Sequence, residues 1–303
     1  MDKKIMCTLK LWGLKVMVII LLIPFCIYGQ ESTEFFSASY SVASRSRAVN
    51  VGNVRVGTVD INLITPTINI GKNLKLNNIF AYKSSNYAVR SEEGNAISYP
   101  GNLSDLQYAL LMRQQLNKRW SLIALPQLIV RSNFKSNFGS RDFFPALAVI
   151  AMNQSANHKG LQWGYGGSYS RDFTKNTFTP LFAVSYSSSD YRVDIMLPVK
   201  AQFVMTPSKI LEYGIDANLE TAIYNIGTKN DYGAQYTKTI NIPVALTGAV
   251  KIKGMVWIKA KVGMNFAREY EFLDSSFKAL DGRSHNIESS PYASIGISLR
   301  IKE

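Results

Sequence analysis

Proton transfer near neutral pH draws first on imidazole, and the chain has two histidines, His158 and His285. His285 lies in "LDGRSHNIESS" with Asp281, Ser284 and Glu288, residue types from which a loop hydrolase can be assembled. His158 stands in the polar stretch "NQSANHKG", and no metal-ligand spacing joins the two histidines. "GYGG" at 164–167 has the glycines of a phosphate loop but lacks the lysine and the strand-to-helix setting that such a loop needs. Glycines inside a strand more simply relieve crowding or bend the wall. The plainer reading of His285 is one histidine in a charged loop. No catalytic, cofactor-binding or metal-binding residue is therefore assigned, no cofactor is expected, and the chain reads as non-enzymatic.

A second chemistry is offered by charge. Arg113, Arg131, Arg192, Lys200, Lys251, Lys259, Lys261 and Arg300, with Asp194, Glu212, Asp216 and Glu220, recur on the polar side of segments whose other side is apolar. If that polar side lines a water-filled channel, the excess of cations favours anionic solutes. If the enclosed space is narrow, the charges pair across it and fill it. The sequence leaves both open, because pairing depends on register.

The elements that must position these residues are strands, since period-two alternation is the signature of a strand with two unlike faces. At the C-terminus Ala293, Ile295, Ile297, Leu299 and Ile301 oppose Ser294, Gly296, Ser298, Arg300 and Lys302. Residues 239–253 and 256–266 repeat the pattern around a short Lys253-Gly254 connection, which predicts a tight hairpin. The runs 193–203 and 213–223 alternate as well, separated by a Thr206-Pro207-Ser208 turn. Weaker segments cover 34–43, 57–70, 74–83, 105–115, 119–131, 143–153, 161–172 and 178–187, with a phase slip near Pro66.

Several of these runs are longer than the roughly five or six residues of a sandwich strand and reach the 9–11 that span a bilayer when tilted. Short polar links at 71–73, 117–118 and 253–254 alternate in places with long polar segments at 84–104, 226–236 and 269–288. Short turns at one end and long loops at the other belong to outer-membrane barrels. The expected fold is all-β: a transmembrane, antiparallel, up-and-down β-barrel. Bacterial barrels normally have an even number of strands, so the thirteen candidate segments point to about 12 strands, with 14 as the alternative. The up and down assignments collide around 132–160.

Residues 1–29 have the layout of a secretory signal: Lys3, Lys4, Lys10 and Lys15, an apolar stretch Val16 to Ile27, and an exit near Gly29-Gln30. Its removal would leave residues 30–303 as the barrel domain. Both cysteines, Cys7 and Cys26, fall in the signal, so the mature chain has no disulfide, thiolate metal site or cysteine nucleophile. Taking the four lysines and Asp2 from 34 basic and 21 acidic residues leaves 30 against 20, a net charge of +10. No basic helix or lysine run concentrates that charge, and with export it argues against nucleic acid as a partner.

The Gly-Gln exit, the cysteine-free alternating chain, "LQWGYGGSYS" at 161–170, "DIMLPVKAQF" at 194–203 and the closing "PYASIGISLRI" resemble the outer-membrane β-barrel proteins of Bacteroidota, in particular a domain-of-unknown-function family among them. The resemblance covers essentially the whole mature chain. It implies the bacterial outer membrane as location, with outer-membrane lipid and the barrel-insertion machinery as partners, and supplies no catalytic residue. In one respect the chain departs from it: many such barrels end on an aromatic residue, and this chain ends Ile301-Lys302-Glu303. The expected role is passage or binding of small molecules, with a small anionic solute as a further partner. The alternatives are a loop-based outer-membrane hydrolase and a plugged structural or adhesive surface barrel.

Overall fold

A chain that alternates apolar and polar side chains satisfies both by presenting them to different surroundings on the two faces of a sheet. The computed structural model describes residues 33–48, 52–90, 101–135, 138–158, 160–171, 177–227 and 233–301. They form fourteen antiparallel strands. These are β1 (Thr33–Ala48), β2 (Gly52–Ile64, carried on by Ile68–Ile70), β3 (Leu74–Arg90), β4 (Asn102–Gln115) and β5 (Trp120–Ser132). Then come β6 (Phe143–Gln154), β7 (Leu161–Ser170), β8 (Thr177–Ser187), β9 (Tyr191–Leu197) and β10 (Lys200–Ser208). The last four are β11 (Leu211–Asn218, carried on by Glu220–Asn225), β12 (Tyr236–Lys253), β13 (Val256–Leu273) and β14 (Ala279–Ile287, carried on by Ser290–Ile301).

Each strand pairs with the next, and β14 pairs back on β1 from Thr33↔Ile301 to Ala43↔Tyr292, so the sheet closes on itself. Closure removes the open edge that a flat sheet would leave. The expected all-β antiparallel barrel is therefore the fold. The preferred count of twelve is corrected to the alternative of fourteen. The missed strand lies at 191–208, where one long alternating run conceals a hairpin, and not at 132–160. Ile195 faces Ala201 and Met196 faces Lys200 across that hairpin, so partners share parity and the alternation passes through the turn without a break. The Thr206-Pro207-Ser208 turn is corrected with it: these residues end β10, and the reversal falls at Lys209-Ile210.

Large apolar side chains such as Leu106, Phe182, Leu246, Val262 and Ile295 stand exposed on the outer face. The connections at 71–73, 116–119, 155–160, 188–190, 209–210 and 254–255 share the basal end with Thr33 and Ile301. The distal end carries the longer connections at 91–101, 133–142 and 226–235, but also the short 198–199 turn. Because of that turn, β9 and β10 have 7 and 9 residues where β12 and β13 have 18 each.

The short hairpin leaves β11 without its β10 neighbour beyond the Leu219 N–H, which donates to Val199 O at 2.9 Å. Buried strand edges need backbone partners, and β11 finds one across the barrel. Asn225 pairs in parallel with Ser132 at the end of β5, and Asn225 O accepts from Asn133 N at 3.1 Å and Ser132 Oγ at 3.2 Å. At this level the circuit runs β1 to β5 and on through β11 to β14. The ring narrows from fourteen strands to nine, leaving out β6 to β10. A ring of that size has room for little more than its own side chains. Val54, Tyr87, Leu103, Ala222, Tyr224 and Tyr270, with Phe272, fill it as one buried apolar core.

Three neighbouring strands slip phase just below this core. In β13 the slip is a bulge at Ala267, whose φ of 45° lies in the left-handed region, with a register shift between Ile240 and Ile242 of the partner β12. Below it the odd residues Lys259 and Lys261 face inward; above it the even residues Arg268, Tyr270 and Phe272 do. Such an inserted residue re-aims every side chain beyond it. β1 shifts between Ala43 and Ser46, and β14 breaks between Ile287 and Ser290. Arg268 Nη1 then donates to Ser46 Oγ at 2.5 Å and Ser290 Oγ at 3.0 Å, tying the three slips together. The segment 269–288, expected as a loop, is for this reason mostly the distal parts of β13 and β14.

Candidate functional site

The interior between the apolar core and the basal turns is charged, and register explains how. Asp60 of β2, Lys83 of β3, Asp105 of β4 and Arg131 of β5 lie directly opposite one another in successive strands. Signs alternate along this row, the arrangement in which cross-strand neighbours attract. Arg131 Nε meets Asp105 Oδ2 at 2.5 Å. Lys83 Nζ reaches across the lumen to Glu220 Oε2 of β11 at 2.7 Å.

Nearer the base, Glu34 accepts from Lys259 and, at 3.0 Å, from Arg300 Nε, while Arg300 Nη1 lies 2.6 Å from Glu212 Oε2. The Arg300 guanidinium also sits 5.0 Å from the ring centre of Trp257, a cation–π contact. That contact accounts for a tryptophan on the polar face of its strand: Trp257 is fully buried inside the barrel. Lys261 pairs with Asp216 at 2.6 Å, and Arg192 with Asp194 at 2.9 Å. Charges removed from bulk water require such partners.

Register places all twelve of the charged residues read from the sequence on the inward parity of their strands. Arg131, Arg192, Asp194, Glu212, Asp216, Glu220, Lys259, Lys261 and Arg300 are drawn into ion pairs. Arg113, Lys200 and Lys251 have no ion pair among the described residues. The sequence reading missed Glu34, Asp60, Lys83 and Asp105, which supply the opposite charges. Their alternating position was the available signal, and it lay in the weaker N-terminal segments. Among the described residues, chambers of about 490 Å³ and 280 Å³ lie between the charged side chains.

His285 is in β14, opposite Tyr270, buried, with its ring centre 6.5 Å from that of Phe272. Glu288 is exposed, and the side chains of Asp281 and Ser284 lie outside the described residues. His158 is exposed at a basal turn. The glycines of "GYGG" are wall residues: a Cβ on Gly166 would stand 2.0 Å from Val149 O and 2.7 Å from Ile150 Cα. Their absence of side chains lets Ile150 and Met152 of β6 meet Leu181 and Ala183 of β8 over β7.

A seam of polar groups holds the narrowed ring. Asn225 Nδ2 donates to Asp142 Oδ1 at 2.9 Å, and Asn225 Oδ1 accepts from Gly227 N at 3.1 Å and from Gln235 Nε2. Asn133 Nδ2 donates to Ile226 O at 3.1 Å. Ser132, Asp142, Asn225 and Gln235 are all buried.

With this geometry, comparison with known proteins gives a family. The family model described as a domain of unknown function, DUF6268, matches residues 32–300. The chain belongs to the DUF6268 family. That match spans the strands of this DUF6268 barrel from the start of β1 to Arg300, the penultimate residue of β14. A search of curated protein sequences finds no match. Among solved structures, this DUF6268 chain is similar to the COG4313 outer membrane channel from Pseudomonas putida F1, at 9% identity and TM-score 0.48 over 92% of this chain and 100% of that one. It is also similar to the NanC porin, at 10% identity and TM-score 0.37 over 88% of this chain and 100% of that one. The translocator domain of the autotransporter NalP from Neisseria meningitidis is a third, at 11% identity and TM-score 0.36 over 98% of each chain.

Proposed function

We propose that this protein is a non-enzymatic barrel of the bacterial outer membrane, closed at its outer end, whose interior is a chamber for small polar solutes. The exposed belt of large apolar side chains supports the membrane setting, since water disfavours so extensive a patch. Aromatic contacts cluster on the outer face near the base: Trp120 with Trp163 at 5.8 Å, Tyr186 with Tyr191 at 5.3 Å and Tyr191 with Phe203 at 6.0 Å. Amphipathic rings favour the membrane interface. Short turns at the base support a periplasmic position for that end, with the longer connections outside. Outer-membrane lipid and the insertion machinery are then its partners, after removal of a signal near Gly29-Gln30.

One observation carries the closed state: the Asn225–Ser132 seam, which reduces the distal ring to nine strands packed with apolar side chains. The burial of His285 among aromatic residues supports a structural role over a hydrolytic one. Two measurements test the reading. The outer-membrane fraction should contain a protein whose electrophoretic mobility shifts on boiling, as a detergent-resistant barrel does. Purified protein in a planar bilayer should pass no steady current. Sustained open conductance from the unaltered protein would refute the seal, and a soluble protein without the heat shift would refute the membrane assignment.

A further inference from the structure

The two chambers differ in charge. The larger is lined by five cations and four carboxylates and is close to balanced. The smaller is lined by Arg192, Lys200, Lys259, Lys261 and Arg300 against Glu34 and Glu212. With Asp194 and Asp216 beside it the count becomes five cations to four carboxylates, and the cation left without an ion pair among the described residues is Lys200. Asp194 is taken by Arg192 at 2.9 Å and Ser185 Oγ at 2.9 Å, and Asp216 by Lys261 at 2.6 Å and Asn218 at 3.2 Å. Lys200 lies on the inner wall opposite Asn218 with no carboxylate bridging it among the described residues. Arg192 engages Asp194 through Nε, and its two terminal nitrogens make no hydrogen bond among the described residues. Gln202 and Thr247 add side chains able to donate to an acceptor in the same space.

We propose that the smaller chamber is a binding site for a small oxyanion, held by Lys200 and the terminal nitrogens of Arg192. The proposal deepens the reading of the interior as a solute chamber and rests on it. An ammonium in a narrow lumen has lost part of its hydration and needs a counter-charge, and the carboxylates nearest Lys200, Asp194 and Asp216, are each paired directly with another cation. A planar guanidinium fork beside an ammonium matches the acceptor oxygens of phosphate or carboxylate. Both ligands present the same anionic oxygens, and a free cation would meet net repulsion.

The test is isothermal titration of the full-length, detergent-solubilised protein at low ionic strength, with inorganic phosphate in one arm and succinate in the other. Saturable binding in either arm is expected, and the stronger arm separates a tetrahedral oxyanion from a carboxylate. Lys200→Gln should weaken binding about tenfold or more, the scale of one charge-assisted hydrogen bond. Lys200→Arg should restore most of it, and Arg113→Gln, an inward cation that does not line this chamber, should change nothing. Retention of the heat-dependent mobility shift shows that each variant is folded. The site is refuted if neither anion saturates on the folded protein, or if Lys200→Gln binds as tightly as the unaltered chain. Either result leaves the seal standing, because that is read separately as bilayer current.

Discussion

Replacing Asn225 by alanine should convert a silent barrel into one that opens intermittently. The side chain donates to Asp142, accepts from Gly227 N and accepts from Gln235. Alanine removes all three bonds and leaves Asp142, itself buried, short of a donor. A neutral hydrogen bond contributes about 0.5–1.5 kcal/mol net, and one to a charged group about 1.5–3 kcal/mol. The three together amount to roughly 3–5 kcal/mol, localised at the seam. Since each 1.4 kcal/mol is tenfold in an equilibrium constant, the opened seam would gain about two to three and a half orders of magnitude in population. The barrel walls below are untouched by the change, so the protein should still show the heat-dependent mobility shift. In a planar bilayer the variant should give bursts of current where the unaltered protein should give none. A folded Asn225→Ala barrel as silent as the original would show that the seam does not hold the barrel shut.

Further perturbations probe the rest of the structure. Leu246→Arg on the exposed outer face should cost about 2–4 kcal/mol if that face meets lipid near the bilayer midplane, read as a lower urea midpoint for refolding into vesicles; an unchanged midpoint would mean that the face is wet. Gly166→Val should abolish the heat-shifted form, because its Cβ would fall 2.0 Å from Val149 O; a normal shift would refute the close approach of β6 and β7. Phe272→Ala should destabilise the distal core by about 3–5 kcal/mol, seen as a lower temperature for the mobility transition. His285→Ala should leave any lipid or ester cleavage by the purified protein unchanged, and complete loss of such a cleavage would restore the hydrolase reading.

Alternation alone was enough for the fold class and for most of the strands, because period two is a local property: each residue's face depends only on its neighbours along the chain. For the same reason the sequence could place Arg192, Lys259, Arg300 and their companions on the polar face. What it could not show was any relation between strands. The Pro198-Val199 hairpin passed unseen because its arms share parity across the turn, whereas Gly254, with a φ of 54°, marks its own turn plainly. The bulge at Ala267 ended the readable pattern of β13 at Phe266, so Tyr270 and Phe272 fell within the expected loop 269–288 when they belong to the distal core.

By itself, then, the sequence determined that residues 34–302 of this chain are largely a run of two-faced strands with charge on one face and hydrocarbon on the other. Only the tertiary structure decided that Asp60, Lys83, Asp105 and Arg131 stand in one row, that Lys83 meets Glu220 across the lumen, and that β11 joins β5. The physical reason is that register, closure and pairing are set by residues tens to hundreds of positions apart. A face is written locally, whereas a partner is chosen by the whole barrel.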